Sequence, residues 1–309
     1  MNHKLPMSLN PIKSITKTWR ESGWEKASVE EYTSAYTTFG GSFITHPEVL
    51  SAISSIANMP LEYLKQEDNG KLIGAIATWD KCLAGSKNGL KKAGKRSLID
   101  IGNAEIILPL SRDQQFSIRH HGDNISELNN QLISNIKPAD YEMAFAKPHM
   151  ECSKKFRYNQ RRELRLLEEA GASYRPIQEL SALEISTAYK TLFKKRWDFD
   201  AKGHETMDKT IEMLKPFLIG YVLEMDNKAI AIQLVYMAES PDWLSIEYLN
   251  GGVDTDYQQL SPGSVLTYLN TQHAEALATE KNKSRRYSFG ISDRDYKARW
   301  CNPSPVFQL

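Results

Sequence analysis

The sequence predicts an α/β chain built from two similar units in tandem, and three observations carry that prediction. At 309 residues the chain exceeds one ordinary hydrophobic core. Two hairpin signatures, Glu67-Asp-Asn-Gly-Lys-Leu-Ile-Gly-Ala-Ile-Ala and Met225-Asp-Asn-Lys-Ala-Ile-Ala-Ile, match with a one-residue gap, and their Asp-Asn turns lie about half the chain apart. Each half also reads in one order: two helices, a hairpin, further strand, a helix and a strand. An ancient duplication giving two units of about 150 residues accounts for all three; the competing account is that Asp-Asn turns recur for local reasons. The expected boundaries are an irregular arm over 1–23, one unit over 24–150 and a second over 151–309.

Composition sets the class. Charged residues at 25% and hydrophobic ones at 41% describe a globular protein. A net charge of +1, with no helix-turn-helix pattern, argues against a nucleic-acid partner. Cys82, Cys152 and Cys301 are odd in number and widely spaced, so neither a disulfide framework nor a metal site is expected. The first residues hold no apolar core of signal-peptide length, and the apolar runs 217–223 and 229–238 are too short to span a bilayer. These features predict a cytoplasmic protein that could touch a membrane but not cross one.

Along the chain, Ser28-Val-Glu-Glu31 is a capping box, followed by Tyr32, Ala35, Tyr36 and Phe39 at helical spacing and stopped by Gly40-Gly41. Thr45 and Glu48 are spaced as a second box, ahead of Val49, Leu50, Ile53 and Ile56. Asn69-Gly70, flanked by extended runs, signals the first hairpin. Residues 87–96 carry five basic side chains and read as a solvated loop; 98–110 reads as one or two strands, 125–136 as a helix and 141–146 as a strand. In the second half, 153–170 is a strongly basic helix with Phe156, Leu164 and Leu167 inward. Ser181-Ala-Leu-Glu184 opens a helix bearing Ala188, Tyr189, Leu192 and Trp197, and a second hairpin turns at 226–228.

The most telling stretch is 244–297. An apolar strand ends in Asn250-Gly-Gly252; a polar turn leads to Ser261-Pro-Gly-Ser264, an amphipathic helix, and the strand Arg286-Tyr-Ser-Phe-Gly290. A helix entered through Ser-Pro-Gly leaves its first amides free and its positive dipole end exposed, a natural seat for the phosphates of a cofactor such as acyl-CoA or acetyl-CoA. Proline also opens helices for conformational reasons alone.

This order resembles the GNAT acyltransferase unit, and two in tandem resemble the Fem-type aminoacyltransferases and related proteins of bacterial polysaccharide biosynthesis. The residues that carry the likeness are Leu167-Glu-Glu-Ala-Gly171, Arg196-Trp197, Tyr248-Leu-Asn-Gly-Gly252, Leu260-Ser-Pro-Gly-Ser264, Tyr287-Ser-Phe-Gly290, Asp295-Tyr-Lys297 and Trp300. Adding Phe39-Gly-Gly-Ser-Phe-Ile-Thr-His-Pro47, the chain looks like the macrophage-inducible antimicrobial-peptide-resistance proteins of Gram-negative pathogens over nearly its full length. The resemblance implies two tandem GNAT-like domains, each a mixed, largely antiparallel sheet flanked by helices. It further implies a cytoplasmic protein at the inner membrane that contributes to survival of cationic peptides through the cell envelope.

Acyl transfer needs a phosphate seat, a group to polarise the reacting carbonyl and a base. Ser261, Gly263, Ser264 and Val265 are the expected seat, and Asn250, Gly251 and Gly252 the place where such a fold holds the carbonyl. Glu247 is the favoured base, because burial on an apolar strand would raise its pKa, unless strand alternation turns it to solvent. Asp293 and Asp254 are the runners-up. Tyr296 is placed as acid to the leaving thiolate or as a packed ring, and Lys297 against an anionic acceptor or as a snorkelling lysine. The resemblance adds Arg196 and Trp197 on the substrate side. The first half lacks a Ser-Pro-Gly equivalent, having only His120-His-Gly-Asp-Asn124, so its own seat is expected to be lost. The expected partner is an envelope polysaccharide or lipid-linked precursor. The basic face of 154–165 either meets anionic inner-membrane lipids or a polysaccharide phosphate, or is simply solvated. A non-catalytic, membrane-associated scaffold is the alternative function.

Overall fold

The structure, a computed structural model, describes residues 11–309. Helix α1 (Pro11–Arg20) stands where the sequence predicts an irregular arm, and strand β1 (Glu25–Ala27) follows it; residues 1–10 of that arm lie outside the described residues. Tertiary contacts order this segment: Lys17 bonds Glu62 at 2.7 Å, and β1 pairs antiparallel with β2 (Glu62–Asp68). Helix α2 (Val29–Phe39) has its capping box, with the Ser28 hydroxyl accepting from the Glu31 amide and Gly40 ending it at φ +82°. Helix α3 (Pro47–Ala57) is capped by His46, whose Nδ1 accepts from the Glu48 amide, and not by Thr45, which closes a turn with Ser42. The first hairpin joins β2 to β3 (Lys71–Trp79). Strand β4 (Cys82–Leu83) and helix α4 (Lys87–Lys92) follow; α4 forms inside the expected loop because Ser86 caps it and Leu90 is buried.

Two expectations in the first half fail. Residues 98–110 form no strand, although 104–110 are buried throughout. Their backbone bonds are divided among separate segments: Ala75 donates to Pro109, Ile106 to Asn124 and Ser126 to Ile106. Residues 125–136 form no α-helix but β5 (Ile125–Ser126) and a single 3-10 turn over Glu127–Asn129. Asparagine side chains compete with helical bonding here: Asn129 brackets the Leu108 backbone at 2.8 and 3.1 Å, and Asn135 does the same for Ile118 at 3.0 and 2.7 Å. Strand β6 (Lys137–Ala146) then leads to the second half.

The second half matches its expected order: α5 (Lys154–Glu169), β7 (Ser173–Pro176), α6 (Ala182–Trp197), α7 (Met207–Leu214), the hairpin β8 (Tyr221–Met225) and β9 (Lys228–Glu239), then β10 (Trp243–Val253), α8 (Pro262–Glu280), β11 (Ser284–Ile291), α9 (Lys297–Trp300) and β12 (Cys301–Gln308). The first four strands make one sheet in sequence order, and the second sheet runs β5-β12-β6-β11-β10-β9-β8-β7. Every neighbouring pair is antiparallel except β10 with β11. The fold is thus α/β, with mixed, largely antiparallel sheets flanked by helices. Strand β6, assigned to the first unit on sequence grounds, lies hydrogen-bonded between β11 and β12 of the second sheet.

Alternation along β10 sets the layers. Leu244 and Ile246 pack with Ala274 and Ala278 of α8 on one face. Ser245 and Glu247 point the other way, where they accept bonds from the amides of Phe43 and Glu105 in the first half. A buried polar ladder fixes α8: Thr267 bonds the Gly263 carbonyl, Gln233 bonds Thr267, and Asn270 links Gln233 to the Tyr221 amide, each at 2.8–2.9 Å.

Candidate active site

The single parallel pair creates a notch. Strands β10 and β11 stay in register from Trp243/Ser284 to Glu247/Ser288, after which β10 runs on to Val253 without its partner. On its other side β10 pairs with β9 through Tyr248 and again from Asn250, so the register slips at Leu249 in a bulge. A peptide N–H beside a strand gap can polarise a carbonyl, the role expected of 250–252.

The glycines after the bulge serve packing. A Cβ at Gly252 would stand 2.5 Å from the Phe193 nitrogen and 2.6 Å from the Leu192 carbonyl carbon, so α6 lies against bare backbone there. A Cβ at Gly251 would meet the Ile232 carbonyl at 2.8 Å and the Tyr248 hydroxyl at 2.9 Å, and the Gly251 amide donates to the Asn250 side chain. On the face toward the first half, Gly102 lies against Leu249 of β10 and Asn103 against Gly290 of β11, bridging the strands where they part.

Helix α8 begins beside the end of β10: a Cβ on Gly263 would sit 3.2 Å from Val253 Cγ1. Ser261 adopts a left-handed φ of +53° to turn the chain into the helix. The Ser264 and Val265 amides both return to the Ser261 carbonyl, and the Ser264 hydroxyl reaches the buried Gln160 of α5 at 3.3 Å. Gly263, as the second helical residue, has no intrahelical acceptor for its amide. Of the four residues expected to form a seat, Ser264 and Val265 thus have their amides engaged within the helix start, and Gly263 does not.

Around the notch the structure gathers Arg196, Trp197, Tyr248 and Tyr296. The Arg196 guanidinium stacks over the Trp197 ring at 4.7 Å, and Tyr248 meets Phe289 edge-on at 5.3 Å. Burial pushes the Tyr248 phenol up to about 12, with Arg196 opposing; burial likewise raises Tyr296, against the same guanidinium. Both phenols are proton donors at neutral pH. Trp197 and Tyr296 remain about half exposed, at 45% and 48%.

Four expected residues lie elsewhere or are engaged. Glu247 is 1% exposed, and its Oε1 accepts from the Glu105 amide at 2.8 Å, facing the first half and not the open notch. Burial pushes its carboxyl well above the ordinary range, against the hydrogen bond from the Glu105 amide; the Glu105 charge adds to the rise, and Ser288 and Arg286 oppose it more weakly. Lys297 is buried, bonded to the Ile291 carbonyl and to Asp293 at 2.9 Å, so the pair braces the turn after β11. Asp254 pairs with Lys195 at 2.5 Å. Of the paired histidines, His120 is buried. On α5, Arg157 is committed to carbonyls of the preceding loop, whereas Lys154, Lys155, Arg161, Arg162 and Arg165 are exposed. Among the described residues no helix is long and apolar enough to cross a membrane.

Sequence reasoning missed the Leu249 bulge, Gly102-Asn103 and the Gln233–Asn270 ladder. Only the last left a trace, since Gln233 is the one polar residue in the run 229–238.

The sheet, its single parallel pair and the bulge define a GNAT-type fold. Two solved structures share it: FemX, with a TM-score of 0.57, 10% identity, and 92% of this chain and 96% of that one covered; and the C-terminal domain assigned to a lysylphosphatidylglycerol synthetase from Agrobacterium fabrum, with a TM-score of 0.51, 10% identity, and 91% and 90% covered. No curated protein matches the chain. The Mig-14 family model matches residues 46–309, and the chain belongs to the Mig-14 family.

Proposed function

We propose that the chain is a GNAT-type transferase that moves an acyl or aminoacyl group onto a cell-envelope precursor, with the donor held by the second half, and that it contributes in this way to antimicrobial-peptide resistance. The observation that carries the proposal is the parting of β10 from β11 beside the bulge at Leu249. A donor carbonyl placed there meets a fixed N–H, the donor's phosphates reach toward Gly263, and Tyr248 or Tyr296 protonates the leaving group. The likeness to a lysylphosphatidylglycerol synthetase domain supports an envelope acceptor and an aminoacyl donor as readily as acyl-CoA. The enclosed Glu247 favours a second reading, a non-catalytic scaffold, because the fold then offers its best-placed acid no access to substrate.

Calorimetry of the full chain with acetyl-CoA, and separately with a non-hydrolysable 3′-aminoacylamino-3′-deoxyadenosine, tests the proposal. Wild type should bind one of the two, and Gly263→Trp should weaken it at least tenfold with an unchanged unfolding midpoint. Absence of binding to both by the wild-type protein overturns the transferase reading and leaves the scaffold.

A further inference from the structure

Behind the Leu249 bulge lies a small cavity of about 20 Å³, walled by both halves: Asp100 from the first, and Tyr189, Lys202, Tyr236, Leu249 and Asn250 from the second. Such a volume holds one water-sized group and excludes a ring or an acyl chain. Tyr189 and Tyr236 are each 1% exposed, and neither hydroxyl has a hydrogen-bond partner among the described residues. Both residues line the cavity, and a polar group placed in it would give their hydroxyls a partner.

We propose that this cavity is an ammonium pocket, receiving the primary –NH3⁺ group of a substrate whose reacting centre lies at the Leu249 peptide. The inference rests on the transferase reading above and narrows its substrate to one bearing an amine. An ammonium carries three N–H donors. Asp100, Tyr189 and Tyr236 present three acceptor oxygens, and the two rings add an aromatic face favourable to a cation. One Asp100 oxygen already accepts from the Gly102 amide at 3.1 Å, which orients the carboxylate. Asp100 stands in no ion pair among the described residues, and Lys202, the cation in the lining, is exposed. The carboxylate's charge is therefore available to a guest. Burial, and after it the charge of Asp100, keeps both phenols protonated.

Two sources supply such a group: the α-ammonium of an aminoacyl donor, or the amine of an acceptor. The test titrates the full chain with 3′-alanylamino-3′-deoxyadenosine and its N-acetyl counterpart, and with ethanolamine phosphate and its N-acetyl counterpart. Each is repeated with Asp100→Asn and with Tyr189→Phe, whose unfolding midpoints are measured alongside. At least tenfold preference for a free amine, abolished by Asp100→Asn and weakened by Tyr189→Phe, is the expected result. Its appearance with the adenosine pair assigns the pocket to the donor, and with the ethanolamine pair to the acceptor. A wild type that binds the free and acetylated members of both pairs alike, or an amine preference that survives Asp100→Asn, overturns the proposal. Because binding itself remains measurable in both cases, that failure is distinct from failure of the transferase reading, in which neither adenosine compound nor acetyl-CoA binds.

Discussion

Two carboxylates and one guanidinium share the seam between the halves, and their protonation follows from that count. Arg286 grips Glu105 through two bonds, Nε to Oε2 at 3.0 Å and Nη2 to Oε1 at 2.5 Å, while Glu247 receives only the Glu105 amide and the Ser288 hydroxyl. A bidentate arginine satisfies one carboxylate well. The other is left in a dry site beside a like charge, which favours its neutral form. A carboxyl whose folded pKa lies above its ordinary 4.5 lends its full stability only below that value and loses it as pH rises toward the folded pKa. Glu247→Gln keeps the acceptor oxygen for the Glu105 amide and needs no proton. Thermal unfolding should therefore show the variant more stable than wild type at pH 7, with the gap closing as pH falls toward 4.5. Equal stability at every pH would mean that Glu247 is ionised in the fold. The burial of Glu247 was legible, since its neighbours Ile246, Tyr248 and Leu249 are apolar; its partner was not, because Glu105 stands 142 residues away.

At the scale of elements, what could be read was whatever short-range chemistry decides. The capping boxes at Ser28 and Ser181, the stop at Gly40 and both hairpin turns are local, and the structure contains them. Segments 98–110 and 125–136 were misread because their bonds run to distant chain and to Asn129 and Asn135 side chains, which periodicity does not register. The segment 250–252 was expected to hold a donor carbonyl, and its bare backbone also accommodates α6 at Gly252. Helix α8 adds a polar ladder to its apolar packing, and Asn270, 1% exposed, is its last rung. Asn270→Leu strands the Tyr221 amide and the Gln233 carbonyl oxygen, which costs about 2 kcal/mol. A lowered urea midpoint with an unchanged m-value should report it; an unchanged midpoint would show that the ladder does not hold the helix.

For the whole molecule, the two halves are joined more deeply than a linker would join them. The second sheet includes β6, chain that precedes residue 151, and the loop at Gly102 and Asn103 bridges β10 and β11 where they separate. The first half thereby supplies one wall of the notch and, through Asp100, one wall of the cavity behind it. A donor seated there must touch the bulge, the start of α8 and this loop together. Hydrogen–deuterium exchange of the full chain, with and without a saturating concentration of whichever donor analogue binds, reads that contact directly. The account predicts slowed exchange in peptides covering 248–252, 262–265 and 100–104, and little change in β1 to β4. Protection confined to the first sheet, or to the exposed basic face of α5, would contradict a donor site in the second half.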